Sequence, residues 1–257
     1  MSSKIFRIAP TIVLACLALS STAWATCSND SLSGTYGFVH DGTDSTGTPA
    51  TAAVSQITFD SATGTFTVET TASHEGVIAT DSTTGTYAVA SDCTGTGIPA
   101  GASPFSFVVT STGFVALHLL SEGFAVKQGP STCTNAGVQG SFGFEATGIF
   151  LPATGAVAFI GELKLIVNPA GEGGIIGHLA SSENGTFLTF PEEPVTGSFS
   201  VDTDCRGRLT IQPKGSPEMH FSFVVVDGGK EMLAIETDAD TVVSGALQQL
   251  FKQEMPL

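Results

Sequence analysis

Basic side chains are scarce in this chain: nine Lys and Arg stand against 24 Asp and Glu in 257 residues. A surface that acidic repels phosphate backbones and anionic lipid, which excludes nucleic acid as a partner. Beyond residue 25 no apolar run reaches the about 20 residues that a membrane helix needs, so no membrane insertion is expected. Metal-binding spacings are missing as well. There is no CxxC pair, and His40, His74, His118, His178 and His220 form neither HxH nor HxxxH, so no metal or cofactor is expected. No serine lies in GxSxG, and "GEGG" at Gly171 to Gly174 lacks the Lys and the Ser or Thr of a phosphate loop, which makes it a hairpin turn. Helical periodicity is nearly absent, and only "GALQQLFKQE" after Val243 reads as a helix.

The chain opens on "MSSKIFRIAPTIVLACLALSSTAWA", with Lys4 and Arg7 ahead of an apolar run and Ala23 and Ala25 around Trp24. This is the pattern of a secretory signal peptide, residues 1–25, cut after Ala25. Reading "VLAC" as a lipidation signal at Cys16 is disfavoured, because the apolar run continues past that cysteine. Export to the periplasm or out of the cell is the expectation. The exported chain keeps all 24 acids and seven bases, nine less Lys4 and Arg7.

Removal of Cys16 leaves Cys27, Cys93, Cys133 and Cys205, an even set that reads as two disulfides in an oxidising compartment. An internal repeat selects the pairing. "CSNDSLSGTYGF" from Cys27 returns without a gap as "CTNAGVQGSFGF" from Cys133; "GTYAVASDC" ending at Cys93 returns as "GSFSVDTDC" ending at Cys205; "FSFVV" occurs at Phe105 and at Phe221. Each half owns one opening and one central cysteine, so Cys27 is paired with Cys93 and Cys133 with Cys205. Closing loops of this length stabilises by about 4 kcal/mol on the chain-entropy argument. Two modules follow, 26–130 and 131–245, with a tail at 246–257; the join falls at "KQGPST", where Gly129 and Pro130 break any strand.

Within the modules the hydrophobic period is two. Phe199 and Val201 alternate with Ser198 and Ser200, and Tyr87 and Val89 alternate with Thr86, Ala88 and Ala90. Strand-like runs recur in the first module at Thr35 to His40, Ala52 to Phe59, Thr65 to Thr71, Val77 to Asp81, Thr86 to Ala90, Phe105 to Thr110 and Phe114 to Leu120. Roughly seven to nine short strands per module predict an all-β fold of two tandem antiparallel barrels, with β-sandwiches as the alternative.

The ordered set "C…GTYGF", "GTYAV…DCTGT", "FSFVV" and "VVVDGGKEM…TDADTVVSG" resembles a β-rich disulfide module of secreted proteins from soil and environmental bacteria, found singly and in tandem. The resemblance spans essentially the whole exported chain and implies secretion, with no catalytic residue to carry over. The first module departs from it by matching "VVVDGGKEM" with "VVTSTGFVA", so that Phe114 and Val115 take the places of Lys230 and Glu231. That change predicts an apolar surface on the first module, turned toward the second.

Isolated polar motifs carry little. "HE" at His74 and Glu75 puts neighbours on opposite strand faces, which argues against an acid and base pair. "ETDAD" at Glu236 to Asp240 and "DTD" at Asp202 to Asp204 space carboxylates at alternate positions that could bind calcium, yet Asp is ordinary turn chemistry in such places. Asn184 heads "NGT", an Asn-Gly turn unless the cell glycosylates it.

Three functional readings stay open: a non-catalytic barrel binding a small apolar ligand, a structural or surface-interaction module, and a barrel-type cyclase or isomerase. The inward positions expected to line a ligand are Tyr36, Phe38, Tyr87, Phe142, Phe144 and Phe199, which would equally serve as the core of a filled barrel. Mass spectrometry of the exported protein is expected to find Thr26 at its N-terminus. Non-reducing peptide mapping is expected to join Cys27 only to Cys93 and Cys133 only to Cys205; a bridge between the modules would overturn the repeat register.

Overall fold

Strands that turn one residue in and the next out, linked by short hairpins, close each half of the chain on itself. The structure, a computed structural model, describes residues 26–43, 49–118, 121–129, 133–151, 155–189 and 195–250. The signal segment with Cys16, residues 119–120 and 130–132, the tail from 251, and the side chain of His118 lie outside the described residues.

The first barrel is an up-and-down meander of β1 (Gly34–Thr43), β2 (Pro49–Asp60), β3 (Thr65–His74), β4 (Val77–Val89), β5 (Thr94–Pro99), β6 (Phe105–Val109), β7 (Gly113–His118) and β8 (Ser121–Lys127), closed by antiparallel pairing of β1 with β8. The second runs β9 (Gly140–Phe150), β10 (Gly155–Val167), β11 (Gly173–Glu183), β12 (Thr186–Thr189), β13 (Val195–Val201), β14 (Arg206–Gln212), β15 (Met219–Val226), β16 (Glu231–Glu236) and β17 (Thr241–Gln249). Here β12 and β13 follow one another along the same edge of β11, so they form one interrupted stave, and the barrel again has eight. Pairing of β17 with β9 completes it. The architecture is two closed eight-stranded antiparallel barrels rather than sandwiches.

The repeated opening phrase is a stopper. In each half it forms a short 3-10 turn, Asn29–Leu32 and Asn135–Val138, that caps one barrel end and drives Leu32 or Val138 into the core, both fully buried. Asn29 Oδ1 accepts the Val89 N–H at 2.9 Å, and Asn135 Oδ1 accepts the Val201 N–H at 2.8 Å, the same bond made twice. The disulfides Cys27–Cys93 and Cys133–Cys205 tie the stopper down, with Cα atoms 5.0 and 4.9 Å apart. Cys93 and Cys205 both hold a left-handed backbone, φ 70° and 72°. The preceding aspartate supports each turn, since Asp92 Oδ1 accepts from Thr94 N and Asp204 Oδ1 from Arg206 N.

Several sequence expectations are corrected. The tail segment from Gly245 through Gln249 is strand β17, not helix, because without it the second barrel would be left open between β16 and β9. Val77 to Asp81 and Thr86 to Val89 belong to one strand, β4, which runs through Ser82 to Gly85 and ends before Ala90. Strand β5 was hidden by its glycines: a Cβ on Gly95 or Gly97 would meet the ring of Phe107 or Phe105 at 2.2 and 2.3 Å, so these residues are absent side chains making room for aromatic rings inside the barrel. Phe114 and Val115 do not take the places of Lys230 and Glu231. The strand registers set Phe114 against Val109 as Met232 is set against Val225, so the β15–β16 turn is two residues longer. Phe114 lies inside its barrel, and Val115 faces solvent rather than the second barrel.

The two barrels pack through outer faces that are apolar where a lone barrel would be polar. Val39, Ala52 and Val54 on β1 and β2 meet Val224, Val226, Leu233, Ile235, Val242 and Ala246 on β15 to β17, and all are buried. This explains why "FVVV" in β15 does not alternate: both of its faces are covered. Gly37 permits the close approach, since a Cβ there would sit 2.4 Å from Val226 Cγ1. Polar contacts seal the edge, with Ser73 Oγ donating to the Thr241 carbonyl, Gln56 Nε2 to the Asp204 carbonyl, and Arg206 paired with Glu69. Gly37→Val is therefore expected to destabilise the protein by about 1–3 kcal/mol, measured by denaturant unfolding; an unchanged midpoint would show that this joint is not tightly packed.

Candidate functional site

The strand registers put corresponding inward positions of the two barrels side by side, and the differences decide which one is full. Where the first barrel has Thr70, Gly97, Pro99 and Ala125, the second has Leu179, Leu209, Ile211 and Leu247. All four of those larger residues are buried in a continuous core with Phe142, Phe144 and Phe199. The first barrel lacks that volume at Thr70 and Pro99, while Phe105 fills the place beside Gly97, and at Val68 and His40 the difference runs the other way, against Gly177 and Ala146. Its core of Leu32, Tyr36, Phe59, Phe66, Tyr87 and Phe107 fills the stoppered half, and a cavity of about 210 Å³ remains in the other.

Apolar side chains dominate the cavity wall, among them Phe38, Ile57, Phe66, Val68, Phe105 and Phe114. Phe38 stacks on Phe114 with ring centroids 5.7 Å apart. The polar groups gather toward the open end: His40 beside Phe38 at 5.3 Å between rings, and Ser55 and Thr70, whose hydroxyls share a hydrogen bond of 2.7 Å. Thr70 and Thr83 are also walls of a neighbouring space of about 160 Å³, which His74 and Asp81 line. The arrangement is an apolar pocket with a small polar rim, the general form of a site for a small molecule.

Of the six aromatics expected to line a ligand, only Phe38 reaches this cavity. Tyr36 and Tyr87 belong to the packed half of the same barrel. The Tyr87 hydroxyl donates to the Asn29 carbonyl at 3.1 Å, and burial, followed by the nearby Asp60 and Asp30 charges, pushes its pKa up to about 12. Burial likewise raises Tyr36, and Lys127 Nζ lies 5.6 Å above its ring. Phe142, Phe144 and Phe199 are core residues of the filled barrel. Sequence reasoning passed over His40, Ser55, Thr70 and Thr83; Thr70 and Thr83 carry a signal, being polar where their repeat counterparts Leu179 and Val195 are apolar, whereas His40 and Ser55 stand against the smaller Ala146 and Gly161.

The remaining polar motifs disperse. A groove of about 570 Å³ between the barrels holds Arg206, Arg208 and His220, but Arg206 is engaged by Glu69 and Asp204, and His220 Nδ1 lies 2.7 Å from Asp238 Oδ1. Among the described residues no group of three His, Cys, Asp or Glu side chains is arranged to hold a metal. "ETDAD" splits, with Glu236 inside the second barrel, Asp238 on His220, and Asp240 in a turn with φ 63°. His74 Nδ1 meets the Thr51 hydroxyl at 3.2 Å while Glu75 occupies the β3–β4 turn. Asn184 and Gly185 form the turn between β11 and β12, both with positive φ.

No helix among the described residues is long and apolar enough to cross a membrane. No family model matches the chain, and no curated protein matches it. Among solved structures, a protein of unknown function of the DUF3598 family from Nostoc punctiforme PCC 73102 is similar at 10% identity and a TM-score of 0.28, over 86% of this chain and 97% of that one. A likeness that loose carries no argument about fold or function.

Glu236 generates a pH prediction. It is 2% exposed, and desolvation, then the neighbouring Asp238 charge, lifts its carboxyl from 4.5 to about 8. The folded protein thus keeps a proton that the unfolded chain loses near pH 4.5, so this group makes stability fall as pH rises from about 4.5 to about 8 and then level off. Glu236→Gln is expected to remove that slope and raise Tm at pH 9 by about 3–6 °C; an unchanged pH profile would mean that the carboxyl titrates normally.

Proposed function

We propose that this is an exported, non-catalytic binding protein whose first barrel takes up a small apolar molecule while the second is a solid support. The observation that supports it is the asymmetry between copies: one fold and one stopper, yet a continuous buried core through the second barrel and a cavity of about 210 Å³ beside the core of the first. A dry cavity of about 150 Å³ suffices for benzene, so about 210 Å³ accommodates a substituted ring or a short branched chain. Export rests on the sequence of residues 1–25, and the two disulfides are compatible with an extracellular or periplasmic protein. The modules are taken as 26–130 and 131–245, with β17 extending the second into the tail.

Toluene and indole, titrated into the disulfide-bonded protein and followed by NMR or calorimetry, are expected to bind saturably with one site per chain. The double substitution Thr70→Leu and Thr83→Val gives the first barrel the residues of the second, Leu179 and Val195. It is expected to abolish binding while leaving Tm equal or higher. Binding that survives this filling, or no binding to the unaltered protein, would sink the reading.

A further inference from the structure

The internal joint between the barrels is heterologous: the outer face of β1 and β2 on one module meets the outer face of β15 to β17 on the next. Because the modules are repeats, each barrel carries a version of both faces, and one version of each is left over. On the second barrel, the buried row across the joint is Val224, Leu233 and Ala246, paired strand to strand. Its counterpart on the first barrel is Val108, Val115 and Phe124, paired in the same register. Those three are 50%, 51% and 42% exposed, whereas Val224 and Leu233 are 2% and 0%.

The complementary face behaves the same way. Val39 and Val54 are cross-strand partners in the joint, and their counterparts on the second barrel are Glu145 and Ile160. Ile160 is 63% exposed. Gly37, where a Cβ would collide with Val226 across the joint, has Gly143 as its counterpart in the repeated phrase. Large apolar residues standing open at the positions that the fold itself buries elsewhere mark an interaction surface.

We infer that the protein associates head to tail with further copies of itself, the β9–β10 face of one chain docking on the β6–β8 face of the next in the manner of the internal joint. Such an interface does not close on itself as a two-fold dimer does, and it generates open chains or rings. Several differences make the intermolecular joint weaker than the internal one, Thr110 for Val226 and Glu162 for Gln56 among them. Glu145 stands where Val39 stands, and the pair Arg206–Glu69 is replaced by Thr94 and His178. Association is therefore reversible and concentration-dependent.

The test uses one blocked face at a time. Sedimentation of the exported, disulfide-bonded protein is expected to show mass rising above the monomer with concentration. Val115→Asp and Ile160→Asp, both at exposed positions, are each expected to abolish the rise when studied alone. Mixed one to one they are expected to form a dimer and nothing larger, because each retains one live face, with affinity within about threefold of the unaltered joint. A monomer at all concentrations up to about 1 mM would overturn the proposal. So would Ile160→Asp protein that still pairs with itself, which would indicate a symmetric contact through Val115, or a mixture that stays monomeric.

Discussion

An eight-stranded barrel is just wide enough for side chains to fill it or for one small molecule to occupy it. That limit governs this protein, because at this diameter a few methylene groups separate a solid interior from a hollow one. Leu179, Leu209, Ile211 and Leu247 fill the second barrel, and Thr70 and Pro99 line the room left in the first. Leucine-to-alanine changes in packed cores cost about 2–5 kcal/mol. A hollow barrel therefore forgoes stabilisation that its solid neighbour keeps.

The joint between the barrels offsets part of that deficit. Val39, Val54, Leu233 and Ile235 would be exposed on isolated barrels, and burying each contributes about 1.5–3 kcal/mol. The first barrel leans on the second with β1 and β2, whose inner faces also carry Phe38 and Ser55 at the cavity. The same two strands are thus fixed from outside by the joint and shape the pocket on the inside. Asp41 shows the electrostatic consequence of sitting at this seam, since burial there raises its carboxyl against the opposing effect of a hydrogen bond from Ser244.

The barrels and both disulfides were legible because a period-two pattern and a gap-free repeat leave few ways to close the sheets. Strand β5 was not, since Gly95 and Gly97 have the composition of a turn and acquire meaning only beneath Phe107 and Phe105. The tail "GALQQL" has helical spacing, and the demand for a closing strand beside β9 overrides it. For the site, attention to the shared aromatics selected what the two copies have in common, which is their core. The cavity lies in what they do not share. Thr70 against Leu179 is a readable difference, but only once strand pairing shows that both point inward. Glu236, buried at an ordinary-looking turn sequence, had no signal at all.

Both disulfides, both stoppers and the densest aromatic packing lie at one end of their barrels, and the cavity of the first opens toward the other. At that far end, Val77 to Thr83 of β4 pairs along its ladder only with β3, because the pairing with β5 ends at Gly85 and the last bond on that side runs from Ala100 N to the Thr84 carbonyl. Local opening follows such gradients of packing. The cross-linked end holds a fixed frame, while the short-paired staves around the rim exchange hydrogen bonds with water far more readily. The proposed guest would enter and leave by that rim, where the cavity opens, and not through the cross-linked end.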